Sequence, residues 1–566
     1  MKKSFTLLLF MTLLFSSCSL DISIGSSTDK SSTTSSTPLT NTPTSSNDSS
    51  LTTPSSSTNT VTPSTSSSNG TSVTPTENNG AKVLKDNGYT NTLHDINAQI
   101  GWNTLHSTGT QKVLVVPVHF KSATNWSTSM LSNLELVFFG ESKYTAWESV
   151  TSYFNKSSYG KLNLTGEVFD TVLEVNMTAS SYDSKYNYWY QNGGSPSYDP
   201  GDYIGSLFYN SLDSNGMKKL QEYDQDKDGY IDSIIFCYSN PFSSNGSGAY
   251  WAWCSYADNN PNYQGPTVNN YMWLSYDFIH EGYGNSSIDG HTFIHEMGHI
   301  LGLDDYYCYD YYDDYYGGDY PWNCAGELDM QSYNVGDHNI YSKFSLGWVD
   351  PIWVKEEGEV KLRSSSQYGD AILIKDTWNG TIFDEYILIE FYTPEGLNEK
   401  DSKSNYTRRD KMYTQSGLRI YHVDARLANL TYNRNSGRLT FKNYAVTAQN
   451  IVSVFESSNY GYIPASNSVE RSYLSSDDLK KKDRLLHLID AGGNNTIAKG
   501  LSNRDNNGGT YVNRNSALWQ EGDTFKATSA FFMKGNNTFN DGTKVGYSIT
   551  VGAIQNGEIT VKIQKY

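Results

Sequence analysis

Residues 295–305 read His295-Glu296-Met297-Gly298-His299-Ile300-Leu301-Gly302-Leu303-Asp304-Asp305 in this chain of 566 residues. On an α-helix, residues four positions apart share a face, so His295 and His299 can present imidazole nitrogens to a single zinc ion. Glu296 would then lie beside the water that such an ion binds, where a carboxylate can act as a general base. The spacing therefore predicts a helix that carries a catalytic zinc site.

The residues after this helix predict a third zinc ligand. Gly302 lets the chain leave the helix in a left-handed turn and brings an acidic side chain back to the metal. The metzincin pattern H-E-x-x-H-x-x-G-x-x-H has its third ligand where this chain has Asp305. A downstream acid such as Glu327 is the alternative third ligand. We expect His291, one turn earlier, to be exposed or to support the ligands from behind.

The N-terminus predicts export from the cytoplasm. Lys2 and Lys3 precede a short apolar run, and small residues lead to Cys18, so residues 1–18 resemble a lipoprotein-type signal peptide. We therefore expect an extracytoplasmic protein that a lipid on Cys18 anchors to the membrane at the bacterial cell surface. Simple secretion is the alternative.

Composition excludes some functions and identifies a tether. Ser and Thr fill 35 of the 60 positions from residue 21 to residue 80, a stretch without Phe, Trp or Tyr that cannot form a core. Residues 19–82 are therefore predicted to be a disordered tether. The formal net charge of -18 offers no basic surface, so we expect no nucleic-acid partner.

The remainder of the chain predicts an α+β fold in two domains. In residues 83–350, the near-continuous apolar run Val113–Phe120 indicates a buried strand, and helical stretches follow at Asn133–Phe139 and Trp147–Phe154. In residues 351–566, short alternating segments separated by Gly, Asn and Asp predict an antiparallel, β-sandwich-like domain. The clearest of these segments are Tyr386–Phe391, Leu418–Val423 and Ile549–Ile563.

A second metal site is predicted in the acidic loop, residues 224–232. Oxygen-bearing residues alternate there and Gly229 allows a sharp turn, as at the start of a calcium loop. The twelfth position is Ile235 instead of Glu, so the loop is not a complete EF-hand. A solvated acidic turn is the alternative to a structural calcium site. The predicted calcium ligands are Asp224, Asp226, Asp228, Tyr230 and Asp232.

From about residue 110 to residue 566, the chain resembles the immune inhibitor A family of secreted bacterial zinc metallopeptidases. The resemblance implies a metzincin-like catalytic domain, a β-rich domain behind it, and cleavage of peptide bonds in extracellular proteins. The segments that carry it are the strand ending Val116-Pro117-Val118-His119-Phe120, Ser158-Tyr159-Gly160-Lys161-Leu162, the acidic loop, the zinc motif, and Gly417-Leu418-Arg419-Ile420-Tyr421-His422-Val423-Asp424.

The chain departs from the family at the turn expected beneath the metal. The usual form is Asp-x-Met-Ser, whereas this chain has Leu328-Asp329-Met330-Gln331-Ser332-Tyr333. In the strict register Gln331 takes the place of Met, and Tyr333 follows two residues later. In a register shifted by one residue, Met330 forms the floor. Related enzymes keep a Tyr near the metal, so Tyr333 is a candidate for stabilising the oxyanion.

Four cysteines other than Cys18 lie in a chain that we expect to reach an oxidising compartment, so two disulfides are plausible. Order along the chain suggests Cys237 with Cys254 and Cys308 with Cys324, which is one of three pairings. The second would close much of the Tyr- and Asp-rich segment 304–320, which is either a wall of a substrate cleft or a packed flap.

The sequence therefore predicts a zinc endopeptidase that cleaves extracellular polypeptides. Two other classes stay open. One is a zinc hydrolase of an ester or of a cell-wall amide bond, because metal chemistry alone does not fix the substrate. The other is a binding lipoprotein without catalysis on the same fold, which would have to lose a ligand or Glu296.

Overall fold

The computed structural model describes most of the chain from residue 103 onward. The signal peptide, the tether, Cys18, Glu327 and most of the Tyr- and Asp-rich segment lie outside the described residues. The described residues are 86, 88, 92–99, 103–191, 199–243, 248–257, 259–282, 287–307, 324–326, 328–406, 411–433, 438–444, 451, 460–468, 484–491, 514–527 and 537–566.

The protein has a mixed α/β fold, with helices concentrated before residue 346 and strands dominating after it. The helices are α1 Leu93–Gln99, α2 Thr128–Phe139, α3 Val150–Ser157, α4 Ala179–Gln191, α5 Gly205–Ser211, α6 Ser214–Leu220, α7 His291–Ile300, α8 Met330–Tyr333, α9 Ile340–Ser345 and α10 Glu399–Lys403. The strands are β1 Gly109–Lys121, β2 Leu162–Val168, β3 Leu173–Thr178, β4 Ile234–Tyr238, β5 Trp253–Tyr256, β6 Asn270–Ser275, β7 Ile352–Trp353, β8 Gly358–Arg363, β9 Ala371–Ile374, β10 Glu385–Tyr392, β11 Gly417–Asp424, β12 Ala428–Asn433, β13 Arg438–Asn443, β14 Tyr460–Tyr462, β15 Leu486–Ile489, β16 Thr524–Phe525, β17 Tyr547–Gln555 and β18 Glu558–Lys565.

The first sheet has the order β2-β1-β4-β6-β5, and β3 also pairs with β1. All pairs are parallel except β5 with β6, so the sheet ends in an antiparallel edge strand. The apolar run predicted as a strand lies in β1, which is confirmed, and its centre is buried. Helix α7 packs against β5 and β6 and thereby lies next to the antiparallel edge.

Local sequence explains where the helices of this half begin. Ser127 caps α2 by accepting a hydrogen bond from the backbone of Met130. Ser149 and Ser152 cap α3 reciprocally, which satisfies two backbone donors that a helix start leaves unpaired. Both helices predicted from the sequence are confirmed. Gly160 has a φ of 77°, and it turns the chain from α3 toward β2.

The C-terminal half contains three sheets. Their strand orders are β15-β11-β10-β9-β7, β12 between β13 and β14, and β16-β17-β18-β8. Strand β10 is buried along its whole length because other parts of the protein cover both of its faces. Ile387 and Ile389 face the sheet that contains β17, whereas Tyr386 and Leu388 join the hydrophobic core of the first half. The predicted antiparallel strands are confirmed, and one core runs across residue 350.

The predicted Cys237–Cys254 disulfide is wrong. Both cysteines are free and buried in the structure. Cys237 lies on β4 and Cys254 on β5, and β6 runs between them. Two strand spacings of roughly 4.8 Å each exceed the separation that a disulfide can bridge. The pairing of Cys308 with Cys324 falls outside the described residues, since Cys308 is not described.

In the described part of the chain, no helix has both the length and the apolar character needed to cross a membrane.

Candidate metal centre

Helix α7 carries both histidines of the motif, and its end is formed by a left-handed glycine. Gly302 has a φ of 98°, a conformation that residues with a Cβ rarely adopt. The backbone N–H groups of Gly302 and Leu303 donate to the carbonyls of His299 and Gly298 at 2.9 and 3.0 Å. This pair of bonds is the Schellman ending of a helix. It reverses the chain and carries the following acids back toward the helix.

The three predicted zinc ligands converge on one point. The Nε2 atoms of His295 and His299 lie 3.2 Å apart. The Oδ1 atom of Asp305 lies 3.0 Å from Nε2 of His295 and 3.3 Å from Nε2 of His299. All three side chains are buried. Two imidazole nitrogens and one carboxylate oxygen in this arrangement form a three-residue metal-binding group.

Backbone carbonyls fix the orientation of both imidazoles. Nδ1 of His295 donates to the carbonyl of Met330 at 2.7 Å, and Nδ1 of His299 donates to the carbonyl of Leu303 at 2.8 Å. With the proton on Nδ1, the lone pair of each ring is on Nε2, the atom that faces the cluster. The structure thus holds both rings in the tautomer that a metal ligand requires.

The three residues shift one another's pKa values. Burial opposes ionisation of Asp305, but the two histidines outweigh it and hold the pKa of Asp305 well below its usual value. Burial also lowers the pKa of His299, yet the neighbouring Asp305 carboxylate raises it above the usual value. Both pKa shifts arise because positive charge on the neighbouring rings stabilises the buried Asp305 carboxylate. A divalent cation would supply that charge.

Glu296 lies between the two histidines in sequence and is fully buried. Burial raises the pKa of its carboxyl to about 7, against the opposing effect of the two imidazoles. Within the described residues, neither carboxylate oxygen has a hydrogen-bond partner. A buried carboxylate without a partner is costly unless a ligand or water fills its bonding positions. The thiol of Cys254 donates to the backbone carbonyl of Glu296 at 3.1 Å and ties α7 to β5.

The turn beneath the centre is the short helix α8. Met330 is buried and supplies the carbonyl that orients His295, while the side chain of Gln331 donates to the backbone of His295 at 3.1 Å. Gly298 permits this close approach, because a Cβ there would lie 2.2 Å from Oε1 of Gln331. Both residues proposed for the Met position therefore contact the histidine helix. Tyr333 ends α8 and is half-buried.

Asp304 and Asp305 have different surroundings, although they are adjacent. The carboxylate of Asp304 accepts hydrogen bonds from Ser466 at 2.8 Å and from Ser468 at 3.1 Å, so it faces the C-terminal half of the protein. Asp305 faces the histidines. The alternative third ligand, Glu327, lies outside the described residues.

His291 is not exposed, so that part of the prediction is wrong. Its ring is fully buried and stacks between Trp147 and Tyr406, with centroid distances of 4.2 and 4.1 Å. Nδ1 lies 2.5 Å from Asp289, and Nε2 lies 3.4 Å from Asp401. Burial lowers the pKa of His291, but the two carboxylates outweigh burial and raise it to about 9.

The acidic loop brings three of its predicted calcium ligands together. Carboxylate oxygens of Asp224, Asp226 and Asp232 form one group that could hold a cation. Asp228 is directed elsewhere, since its carboxylate accepts hydrogen bonds from the Asn103 side chain and from the backbone of Tyr230. Burial and the neighbouring carboxylates raise the pKa of Asp232 to about 7 and that of Asp228 to about 6.

Sequence reasoning missed two features that the structure reveals. One is a further cluster of metal-ligand type formed by His94, His106 and Asp226. The other is a buried ion pair of 2.7 Å between Arg419 and Glu390. These residues are far apart in sequence or lie in irregular segments, so no periodic pattern signals them.

Comparison with known proteins adds no relative: no family model matches the chain, and no significant match occurs among curated proteins.

Proposed function

We propose that the protein is a zinc-dependent endopeptidase of extracellular polypeptides. The convergence of His295, His299 and Asp305 beside the buried Glu296 carries this proposal. A metal centre of three protein ligands leaves a fourth position for water or substrate, which is the arrangement of catalytic zinc sites.

Zinc fits the residues of this centre better than a hard cation does. Two imidazoles and one carboxylate are ligands of borderline softness, whereas calcium and magnesium prefer oxygen ligands alone. Both imidazoles direct Nε2 at the cluster because Nδ1 donates to a backbone carbonyl, and Asp305 is ionised. A proton that Asp305 holds on Nε2 of His299 in the metal-free protein would be released on zinc binding.

Zinc held by these three residues would polarise the scissile carbonyl and lower the pKa of water near it. Glu296 is positioned to accept the proton of the attacking water and to pass it to the nitrogen of the leaving amine. Its two oxygens, which have no hydrogen-bond partner among the described residues, are available for both transfers. The Tyr333 hydroxyl would donate a hydrogen bond to the oxygen that gains negative charge.

The resemblance to the immune inhibitor A family favours a polypeptide substrate and a metzincin-like fold. The segments that carry the resemblance include the zinc motif, whose two histidines meet Asp305 in the structure.

From the N-terminal sequence, we also propose that the protein acts outside the cytoplasm. The lipoprotein-type signal would leave Cys18 as a lipidated N-terminus, and residues 19–82 would tether the enzyme to the bacterial surface. Calcium in the acidic loop would stabilise the fold without taking part in catalysis.

The test is cleavage of a mixture of extracellular proteins by the purified chain and by its Glu296→Ala variant. We expect cleavage that a zinc chelator abolishes, and a loss of turnover of at least about 10²–10⁴-fold in the variant, the usual contribution of a general base. Zinc content, measured by elemental analysis, should match the wild type because no ligand has changed.

Glu174→Ala is the matched control, since the side chain of Glu174 is 70% exposed on β3 and contacts His119 instead of the metal centre. It should retain full turnover. Activity that survives Glu296→Ala would reject the assigned base. A folded, zinc-loaded protein that cleaves esters or cell-wall amides but no polypeptide would reject the proposed substrate class.

A further inference from the structure

Two histidines ahead of the first sheet approach the acidic loop. His94 lies on α1, His106 lies between α1 and β1, and both meet Asp226. One ligand atom from each residue lies within 4.8 Å of those of the other two. The two rings are 3.8 Å apart at their centroids, with 38° between their planes. This cluster shares no residue with the zinc centre on α7.

Hydrogen bonding prepares His94 as a ligand. Its Nδ1 lies 2.8 Å from the backbone carbonyl of Thr104, which can only accept a hydrogen bond. The proton therefore lies on Nδ1, and Nε2 carries the lone pair. His295 and His299 have the same arrangement, in which a backbone carbonyl fixes the tautomer. His94 therefore shares its tautomer with the two histidines of the zinc centre.

Burial also favours the neutral imidazoles that metal binding requires. Burial lowers the pKa of His94 and outweighs the opposing effects of the Thr104 hydrogen bond and of Asp226. Burial and the neighbouring His94 lower the pKa of His106 against the opposing effect of Asp226. At neutral pH both rings are therefore uncharged. An ion pair between a charged histidine and Asp226 is correspondingly disfavoured.

We propose that His94, His106 and Asp226 bind a second transition-metal ion of the zinc class, separate from the ion of the catalytic centre. Two imidazoles and one carboxylate suit zinc, cobalt or nickel, whereas calcium prefers oxygen ligands alone. The site differs in this respect from the neighbouring group of Asp224, Asp226 and Asp232, which offers only carboxylates.

The position of the cluster indicates a structural role. The backbone N–H of Leu105, between the two histidines, donates to the carbonyl of Ile300 at 2.9 Å, at the end of the zinc helix. A Cβ on Gly302 would lie 2.6 Å from the side chain of Asn97 on α1, so α1 packs against the turn that leads to Asp305. An ion bound by His94 and His106 would fasten this N-terminal segment to the acidic loop and support the turn.

Asp226 belongs to both cation groups, which couples them. Its carboxylate has two oxygens, and each group needs one. The acidic loop can therefore bind calcium through Asp224 and Asp232 while Asp226 also serves the histidines. Because substitution of Asp226 would disturb both groups, the histidines are the residues to change.

The experiment counts zinc in chains that carry Glu296→Ala to prevent self-cleavage. After equilibration with zinc and removal of the unbound ion, elemental analysis should give about two zinc ions per chain, and about one when His94→Ala and His106→Ala are added. His119→Ala, which removes a histidine paired with Glu174, should keep two ions and serves as the matched control.

A single His106→Gln variant accompanies the double variant, because loss of both rings could unfold the N-terminal segment. Zinc added to the metal-free parent should raise its melting temperature in two saturable steps. The step that occurs at the higher zinc concentration should disappear in His106→Gln. The proposal would be overturned by a folded double variant that binds as many zinc ions as the parent. If the catalytic centre holds no zinc, the parent should bind one ion, and that ion should be lost when His94 and His106 are replaced.

Discussion

The metal centre on α7 and the acidic loop differ in how they stabilise the negative charge of their carboxylates. At the centre, Asp305 is buried beside two histidines whose rings are fixed by the backbone carbonyls of Met330 and Leu303. In the acidic loop, carboxylates face one another, and burial with mutual repulsion raises the pKa of Asp232 to about 7. The fold organises the residues of the centre without a metal, whereas a cation would balance the charge of the carboxylates in the loop.

The two sites should respond differently to the loss of a bound metal. Removing the ion from an organised centre should abolish chemistry and leave the surrounding structure in place, because packing holds the ligands. Removing it from a loop of mutually repelling carboxylates should reduce the free energy of unfolding instead.

The largest effect is expected from Asp305→Ala compared with Asp304→Ala. Asp305→Ala removes the ligand oxygen that lies within 3.3 Å of both histidines, so the zinc of the α7 centre and the activity should be lost, whereas the ion proposed at His94, His106 and Asp226 should stay. Asp304→Ala removes hydrogen bonds from Ser466, from Ser468 and from the backbone N–H of Asp305, but it removes no oxygen that faces the histidines and should retain zinc. Elemental analysis of both proteins decides. Full zinc content in Asp305→Ala would show that the third ligand is another acid, such as Glu327.

Tyr333→Phe tests whether the floor of the centre takes part in chemistry. If its hydroxyl stabilises the developing oxyanion, kcat should fall by the equivalent of about 2–4 kcal/mol in the barrier, the size expected for one such donor. KM should change little, since the ring and its packing remain. Steady-state kinetics on a peptide that the wild type cleaves provides the measurement. An unchanged kcat would leave Tyr333 a packing residue and the metal ligands unaffected.

The sequence predicted that His295, His299 and Asp305 would meet, because this geometry is local. The spacing of His295 and His299 follows from helix periodicity, and Gly302 indicates the reversal that brings Asp305 back. The same kind of reasoning failed for Cys237 and Cys254, because order along the chain does not reveal that β6 inserts between their strands. Strand order depends on packing between segments distant in sequence, which no local pattern encodes.

The sequence also did not reveal which distant residues pack against the metal centre and support it. Arg419 pairs with Glu390 across β10 and β11, and its guanidinium lies 3.4 Å from the carbonyl of Leu328, just ahead of α8. The sequence marked the segment Gly417–Asp424 as part of a family resemblance without indicating what it contacts. Its contact with the floor of the metal centre required the tertiary structure.

Calcium should stabilise the acidic loop without altering the chemistry. Saturating calcium is expected to raise the free energy of unfolding by about 3–4 kcal/mol at concentrations of roughly 100–1,000 times Kd. Asp232→Asn should remove most of this gain, since it deletes a charged oxygen of the group. Thermal unfolding with and without calcium measures the effect. Asp170→Asn, an exposed acid outside the group, is the control and should respond as the wild type does.

The smallest effect concerns His291, where two carboxylates balance a buried imidazolium without a metal. Asp289 and Asp401 raise its pKa to about 9 in the folded protein, above the ordinary value of about 6.5 for an unfolded chain. The folded state therefore binds the proton more tightly. The resulting stabilisation is complete below about pH 6.5 and is lost as pH rises toward 9, with roughly 2 kcal/mol lost between pH 6 and pH 8.

His291→Gln should abolish this loss, because Gln does not titrate, and should be less stable than the wild type at pH 6. Urea unfolding at both pH values, in the presence of zinc and calcium, measures the difference. Equal pH dependence in the two proteins would mean that the buried ring is neutral and that the carboxylates are balanced by other groups.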